Sequence, residues 1–318
     1  MGGGVLAAAL ATLLAFEIWG PGPSATPTSV ILPPGGGVRG VGRDLGRARI
    51  VRSPAVFVVA AEFSGAGHSL KAGEYAFAPH ASLAAVLDAI RRGLIVRHFV
   101  TIPEGLSSVQ VADILAAEPV LSGPTSVPPE GSVLPETYQV RRGETRAAVV
   151  ARMERARGAL LERLWAARAT GLPYRDPEQA VILASVVEKE TAVPAERPKV
   201  AAVFLNRLRQ GMRLGSDPTV IYGLTRGRPL GHGLTVSELA SDTPWNTYRV
   251  AGLPPTPIGN PGKASLEAAL SPAKTDDLYF VADGTGGHAF SATLEEHQRN
   301  VARWREIEKR AGAARGTG

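Results

Sequence analysis

The residues best equipped for chemistry close an apolar run, Val181-Ile182-Leu183-Ala184-Ser185-Val186-Val187-Glu188-Lys189-Glu190-Thr191. Two carboxylates stand two positions apart at its end, about 200° apart on a helix, so they cannot share a face. With Glu190 as zero, Leu183 falls near +20°, Val186 near −40° and Val187 near +60°, all roughly, at about 100° per residue. Glu190 therefore extends the apolar stripe, and Glu188 points about 160° away. A carboxyl set in such a stripe loses solvation when it ionises, so its pKa rises. It can then stay protonated near neutral pH as a proton donor. The same letters also describe a helix ending in a solvated Glu-Lys-Glu cluster, and the pattern alone leaves both readings open.

Such an acid needs a rigid helix behind it. Asp176 is placed to cap, Pro177 suits the first helical position, and Gln179 completes a capping-box spacing. A long helix is predicted over 145–169, with Val149, Met153, Ala156, Leu160 and Leu164 on its inner stripe and Gly171 as its stop. A further helix over 198–210 carries Val200, Val203, Phe204 and Leu208 and stops at Gly211. Residues 211–260 hold few periodic segments and much Gly, Pro and Asn punctuation. Irregular chain packed on helices is where substrate grooves are usually built.

The amino-terminal half has a different character. Val30-Ile31-Leu32-Pro33-Pro34-Gly35, with Val41 and Leu45 downstream, mirrors Val100-Thr101-Ile102-Pro103-Glu104-Gly105 with Val111 and Leu115. Each copy reads as short strand, turn and helix. Between them a helix opens at Ser53-Pro54 and runs through Phe63, and a turn and strand occupy 70–75. Ser82 then caps an amphipathic helix with Leu83, Val86, Leu87 and Ile90 inward and Gly93 as stop. This half carries no catalytic cluster, so a binding or spacing role is expected. The predicted fold class is α+β: a small α/β module followed by a helix-rich domain with an irregular groove-forming region.

Composition narrows the partners. A formal charge of +6 over 318 residues suits an anionic one. Yet Arg146, Arg152, Arg155 and Arg157 alternate with Glu144, Glu154 and Glu162, which describes a solvated helix face. Aromatics do not interleave with bases, so nucleic acid is not expected as a partner. There is no cysteine, which excludes disulfides and thiolate metal sites. His288 has no second His or Cys nearby, and 284–287 lacks the full phosphate-loop pattern. At the amino terminus, 5–16 is apolar but for Thr12 and is followed by Glu17, Ile18 and Trp19. The run is shorter than the roughly 20 residues of a spanning helix, and the first base is Arg39. Because Pro/Gly/Ser-rich chain follows it, a membrane-targeting segment is expected, with anchor and cleaved signal both open.

The order of motifs around these residues resembles one family. Ala184-Ser185-Val186-Val187-Glu188-Lys189-Glu190-Thr191-Ala192, Glu196-Arg197, Val203-Phe204-Leu205-Asn206-Arg207-Leu208 and Gly211-Met212-Arg213-Leu214 carry it first. Ser216-Asp217-Pro218-Thr219-Val220-Ile221-Tyr222-Gly223, Asn246-Thr247-Tyr248, Gly252-Leu253-Pro254-Pro255 and Asn260-Pro261-Gly262 follow in the same order. Near the end come Ser271-Pro272-Ala273, Leu278-Tyr279-Phe280-Val281 and Gly287-His288-Ala289-Phe290. Upstream, Thr101-Ile102-Pro103-Glu104-Gly105 and Leu134-Pro135-Glu136-Thr137-Tyr138 match the entry segments. Over about residues 28 to 304 the chain is similar to the endolytic murein transglycosylases, the YceG-like (MltG) family.

The resemblance implies a single-pass protein of the bacterial inner membrane whose periplasmic domain cuts peptidoglycan glycan strands internally. The products end in 1,6-anhydro-N-acetylmuramic acid, cutting limits nascent strand length, and penicillin-binding synthases are implied partners. It divides the chain into an anchor over 1–20, a linker over 21–37, a LysM-like module over 28–98, a second small α/β linking segment over 99–140, a catalytic domain over 141–305 and a basic tail over 306–318. The catalytic glutamate of the family maps to Glu190, the residue helical geometry singles out. Ser216, Asp217, Tyr222, Asn246 and Tyr248 are the expected substrate-binding residues, offering hydroxyl, amide and aromatic groups to sugars. Asp217-Pro218-Thr219 equally suits a turn, Asn246 a turn cap and Tyr222 a core position. No metal or cofactor is implied. Three departures stand out: Gly215 where the family often has glutamine, a short Pro/Ser-rich stretch over 117–133, and the short uncharged amino terminus. The rival reading is a non-catalytic wall-binding scaffold of the synthesis machinery, with the LysM-like module carrying the function.

Overall fold

Two separate sets of apolar side chains leave water and divide the chain into two units. The computed structural model describes residues 2–33, 35–65 and 70–315, and its fold class is α+β. One unit comprises 1–99, 120–122 and 139–144; the other comprises 100–119, 123–138 and 145–318. The expected linking segment over 99–140 is thus shared between them.

The first unit contains α1 (Gly2–Trp19), β1 (Thr28–Leu32), α2 (Gly37–Arg47), α3 (Pro54–Phe63), β2 (Gly73–Phe77) and α4 (Leu83–Arg92). β1 and β2 pair antiparallel, from Thr28 opposite Phe77 to Leu32 opposite Gly73. Leu32, Val41, Leu45, Phe57, Tyr75, Val86 and Ile90 form its core. The Ser53 and Ser82 hydroxyls accept from Val56 N and Ala85 N, each at 3.3 Å, and so cap α3 and α4. Gly93, at φ +65°, ends α4 in the left-handed conformation that glycine adopts without strain.

The structure refines the expectation for the chain after α1. The linker over 21–37 is not free chain: Gly22 N donates to His80 O at 3.0 Å, His80 N donates to Ser24 O at 2.7 Å, and 28–32 is a sheet strand. Among the described residues no helix is long and apolar enough to cross a membrane. The 18 residues of α1 rise about 27 Å against a hydrocarbon core of about 30 Å, and Glu17 lies in its last turn. Pro34 of the repeat and residues 316–318 of the expected tail lie outside the described residues.

Next in the chain come β3 (His98–Thr101), α5 (Ser108–Ala117) and β4 (Thr137–Val140), with β3 paired to β4. The elements that follow all belong to the second unit: α6 (Arg146–Ala166), α7 (Pro177–Glu190), α8 (Arg197–Arg209), α9 (Asp217–Thr225), α10 (Val236–Leu239), α11 (Lys263–Leu270), β5 (Tyr279–Ala282), β6 (His288–Ser291) and α12 (Leu294–Arg315). β5 and β6 form an antiparallel hairpin. Because α7 is apolar on nearly every side, it has to be enclosed, and α6, α8, α9 and α11 all pack on it. Leu183, Val186 and Val187 meet Phe204, Leu205, Leu214, Ile258 and Leu266 in one core.

Local chemistry refines these boundaries. Asp176 accepts from Gln179 N at 3.0 Å, but the Gln179 side chain takes Arg175 N at 2.9 Å, so the cap is anchored one residue further back than a capping box. α6 stops three residues before the predicted end because Ala169 N is drawn onto Leu270 O of α11, at 2.9 Å. The irregular stretch after α8 holds two short helices, α9 and α10, which its Gly and Pro content concealed.

Candidate active site

The last turn of α7 sends its two glutamates into different surroundings. Glu188 is almost wholly enclosed, its side chain 5 % exposed, and it accepts from Arg197 Nη2 and Gly262 N, each at 2.9 Å. Arg197 also lies 3.7 Å from Glu104. A buried carboxylate with one oxygen engaged by a guanidinium and the other by a main-chain amide holds α7 to its neighbours. It is not the solvated acid that one reading of the pattern allowed.

Glu190 is partly buried and accepts a very short hydrogen bond from the Ser216 hydroxyl. Burial pushes its pKa above the usual carboxylate range. The Ser216 bond opposes this, the Asp217 charge adds to it, and His288 and Arg207 pull it back. The net direction is up, as a proton donor requires.

Ser216 is held from several sides. Its N–H donates to Thr247 Oγ1 at 3.0 Å, and its carbonyl accepts from Thr219 Oγ1 at 2.6 Å. It stands just ahead of α9, with Pro218 in the first turn. Gly215 before it adopts φ +60°, where a Cβ would stand 3.4 Å from the Tyr248 ring, so glycine suits the position. Asp217 is exposed and accepts from Tyr248 Oη at 2.7 Å. Burial and that carboxylate raise the Tyr248 phenol. Glu190, Ser216, Asp217 and Tyr248 thus form a single linked cluster.

The other expected residues lie elsewhere. Asn246 is fully buried; its Nδ2 donates to Leu239 O at 2.9 Å and Ser241 O at 2.7 Å, and its Oδ1 accepts from Tyr248 N at 3.0 Å. Both polar atoms of the Asn246 amide are engaged in folding the 239–248 loop. Tyr222 lines a groove of about 380 Å³ and donates from its hydroxyl to Glu130 Oε2 at 3.1 Å. Burial and Glu130 push its phenol up to about 12. Lys189 and Pro218, the chain neighbours of Glu190 and Asp217, line the same groove.

Several contributors escaped the sequence reading. Glu130 accepts from Ser108 N at 2.8 Å, Ser108 Oγ at 3.1 Å and Asn260 Nδ2 at 3.4 Å, and burial raises its pKa. It comes from the Pro/Ser-rich stretch, where no periodicity marks it. Arg207 donates to the carbonyls of Leu214 and Leu278, which fixes its charge near Glu190. Glu196 accepts from the N–H and Nδ1 of His288, both at 2.7 Å, and from Thr191 Oγ1 at 3.0 Å, which holds β6 to the chain following α7. Among the described residues no group of three or more His, Cys, Asp or Glu is placed to hold a metal ion.

An inward acid on a buried helix, beside a groove, can protonate a leaving group and then accept a proton. The chain is 28 % identical over 309 residues to an endolytic murein transglycosylase of Bacillus subtilis (strain 168), covering 87 % of this chain and 84 % of the relative. An endolytic murein transglycosylase of Streptococcus pneumoniae (serotype 2, strain D39) is 29 % identical over 324 residues; the match covers 86 % of this chain but 58 % of that longer protein. The crystal structure of a yceG-like protein from Listeria monocytogenes aligns with TM-score 0.55 and 28 % identity, over 87 % of this chain and 99 % of that one. The model of the YceG-like family matches residues 30–303, and the chain belongs to that family.

Proposed function

We propose that the protein is an endolytic lytic transglycosylase of peptidoglycan, with Glu190 as its general acid and then its base. Protonated Glu190 donates to the glycosidic oxygen between N-acetylmuramic acid and N-acetylglucosamine, and the bond to the anomeric carbon breaks. The resulting carboxylate takes the proton of the muramic acid 6-hydroxyl, whose oxygen bonds to that carbon and closes the 1,6-anhydro ring. The nucleophile is tethered to the substrate, so its effective molarity is high and neither water nor a protein nucleophile enters the step.

One observation carries this reading: Glu190 is the acid of the last α7 turn whose surroundings raise its pKa, while Glu188 is consumed by Arg197 and Gly262. Ser216 steadies the acid, and Asp217 with Tyr248 forms the adjoining wall. Tyr222 serves the neighbouring groove. The first unit, with its own core, is read as the LysM-like wall-binding module.

Digestion of intact sacculi followed by muropeptide analysis tests the assignment. Wild type should release anhydro-ended fragments from within strands, and Glu190→Gln should release none while melting as a folded protein. Reducing-end products would move the activity to hydrolysis, which needs a second carboxylate acting on water or on the sugar. Products unchanged in Glu190→Gln would remove the acid from the chemistry and favour the scaffold.

A further inference from the structure

The groove lined by Lys189 and Pro218, the chain neighbours of Glu190 and Asp217, is unevenly equipped. Its walls include the apolar side chains of Ile221 and Ile258. Lys189 lines it as well, and among the described residues its ammonium makes no hydrogen bond or ion pair. The two carboxylates whose charges act on Lys189 are already engaged, Glu188 by Arg197 and Gly262, and Glu130 by Ser108, Asn260 and Tyr222. Gln110 is similar. Its Oε1 accepts from the N–H and hydroxyl of Ser107, at 3.0 and 3.2 Å, and among the described residues its Nε2 makes no hydrogen bond. Lys189 is exposed to solvent, and partial desolvation lowers its pKa.

Free donors between apolar walls do not suit a bare sugar. A sugar hydroxyl both donates and accepts, whereas the unpaired groups of Lys189 and Gln110 are donors. They suit a chain that presents carbonyls and a carboxylate between short apolar side chains. We propose that this groove receives the acyl-peptide arm borne by the muramic acid residue, with Lys189 pairing its carboxylate and Gln110 donating to a peptide carbonyl. The inference rests on the glycan-cutting reading and sets a substrate class for that site: strands whose peptide stems are still attached.

Two measurements test it. In the first, kcat/KM is compared on strands with stems intact and on strands stripped of stems by an amidase. Wild type should favour stem-bearing strands. In Lys189→Met, which keeps the aliphatic stem of the side chain, the ratio between the two substrates should fall by about tenfold or more, the worth of one charge-assisted hydrogen bond. Lys189→Arg should retain part of the preference. A ratio unchanged by Lys189→Met overturns the inference, as does a wild type indifferent to stems. In the second, calorimetry measures binding of a soluble N-acetylmuramoyl peptide to full-length Glu190→Gln protein. Adding Lys189→Met should weaken it about tenfold, and equal affinity overturns the proposal. If anhydro ends never form but this binding difference persists, the proposed chemistry falls and the peptide groove stands.

Discussion

An acid that must give up a proton near neutral pH has to be held partly out of water, and Glu190 is held there by burial with the Asp217 charge behind it. Activity should therefore fall on the alkaline side as Glu190 loses its proton, along a limb above the ordinary carboxylate range. Because the Ser216 hydroxyl favours the ionised form, Ser216→Ala should move that limb to higher pH, which a pH–rate profile of kcat/KM reads directly. The same raised pKa has a stability consequence. A carboxyl whose folded pKa lies above its unfolded value is most favourable to folding at low pH, and that contribution is lost as pH rises through the folded value. Glu190→Gln, which cannot ionise, should then melt higher than wild type at neutral pH, with the gap closing in acid. A gap that does not vary with pH would contradict the direction of the shift. Removing a costly functional group in exchange for stability is the usual trade at active sites.

At the scale of elements, precision at Glu190 comes from α7 and from the loop that presents Tyr248. Leu183 is fully buried on the face α7 shares with Glu190, so Leu183→Ala should cost about 2–5 kcal/mol in denaturant unfolding. Asn246 makes a sharper case, because its amide joins Leu239, Ser241 and Tyr248. Asn246→Ala should destabilise the protein by about 1–3 kcal/mol, since it leaves buried main-chain groups unpaired. Tyr248, and with it Asp217, should loosen at the same time. A direct sugar contact would instead weaken substrate binding and leave the melting temperature where it was, so the two measurements separate the roles.

For the molecule as a whole, each unit has its own core, built around Phe57 and Tyr75 in one and around Leu183 and Phe204 in the other. The Glu190 cluster and the groove lined by Lys189 and Tyr222 lie wholly within the second. The formal charge of +6 should draw the protein to an anionic wall polymer through a field that salt screens. Sedimentation with sacculi should accordingly release protein as ionic strength rises. Retention insensitive to salt would mean that apolar and hydrogen-bonded contacts, not net charge, hold it there.

The linear chain by itself determined the periodic elements, and with them which of two acids extends the apolar stripe. Helical angles set Glu190 in the stripe of Leu183, Val186 and Val187, and Ser53, Ser82, Thr145 and Asp176 marked helix starts, because caps and stripes are local properties of neighbouring residues. What covers a side chain is set by residues far along the chain, and only the tertiary structure decided that. Arg197 and Gly262 took Glu188 out of use, Asn246 turned out to be a loop brace, and Glu130 reached Tyr222 across 92 positions. Hydrogen bonding and desolvation act through space between groups with no sequence period to connect them, so these roles became legible only once the helices had packed.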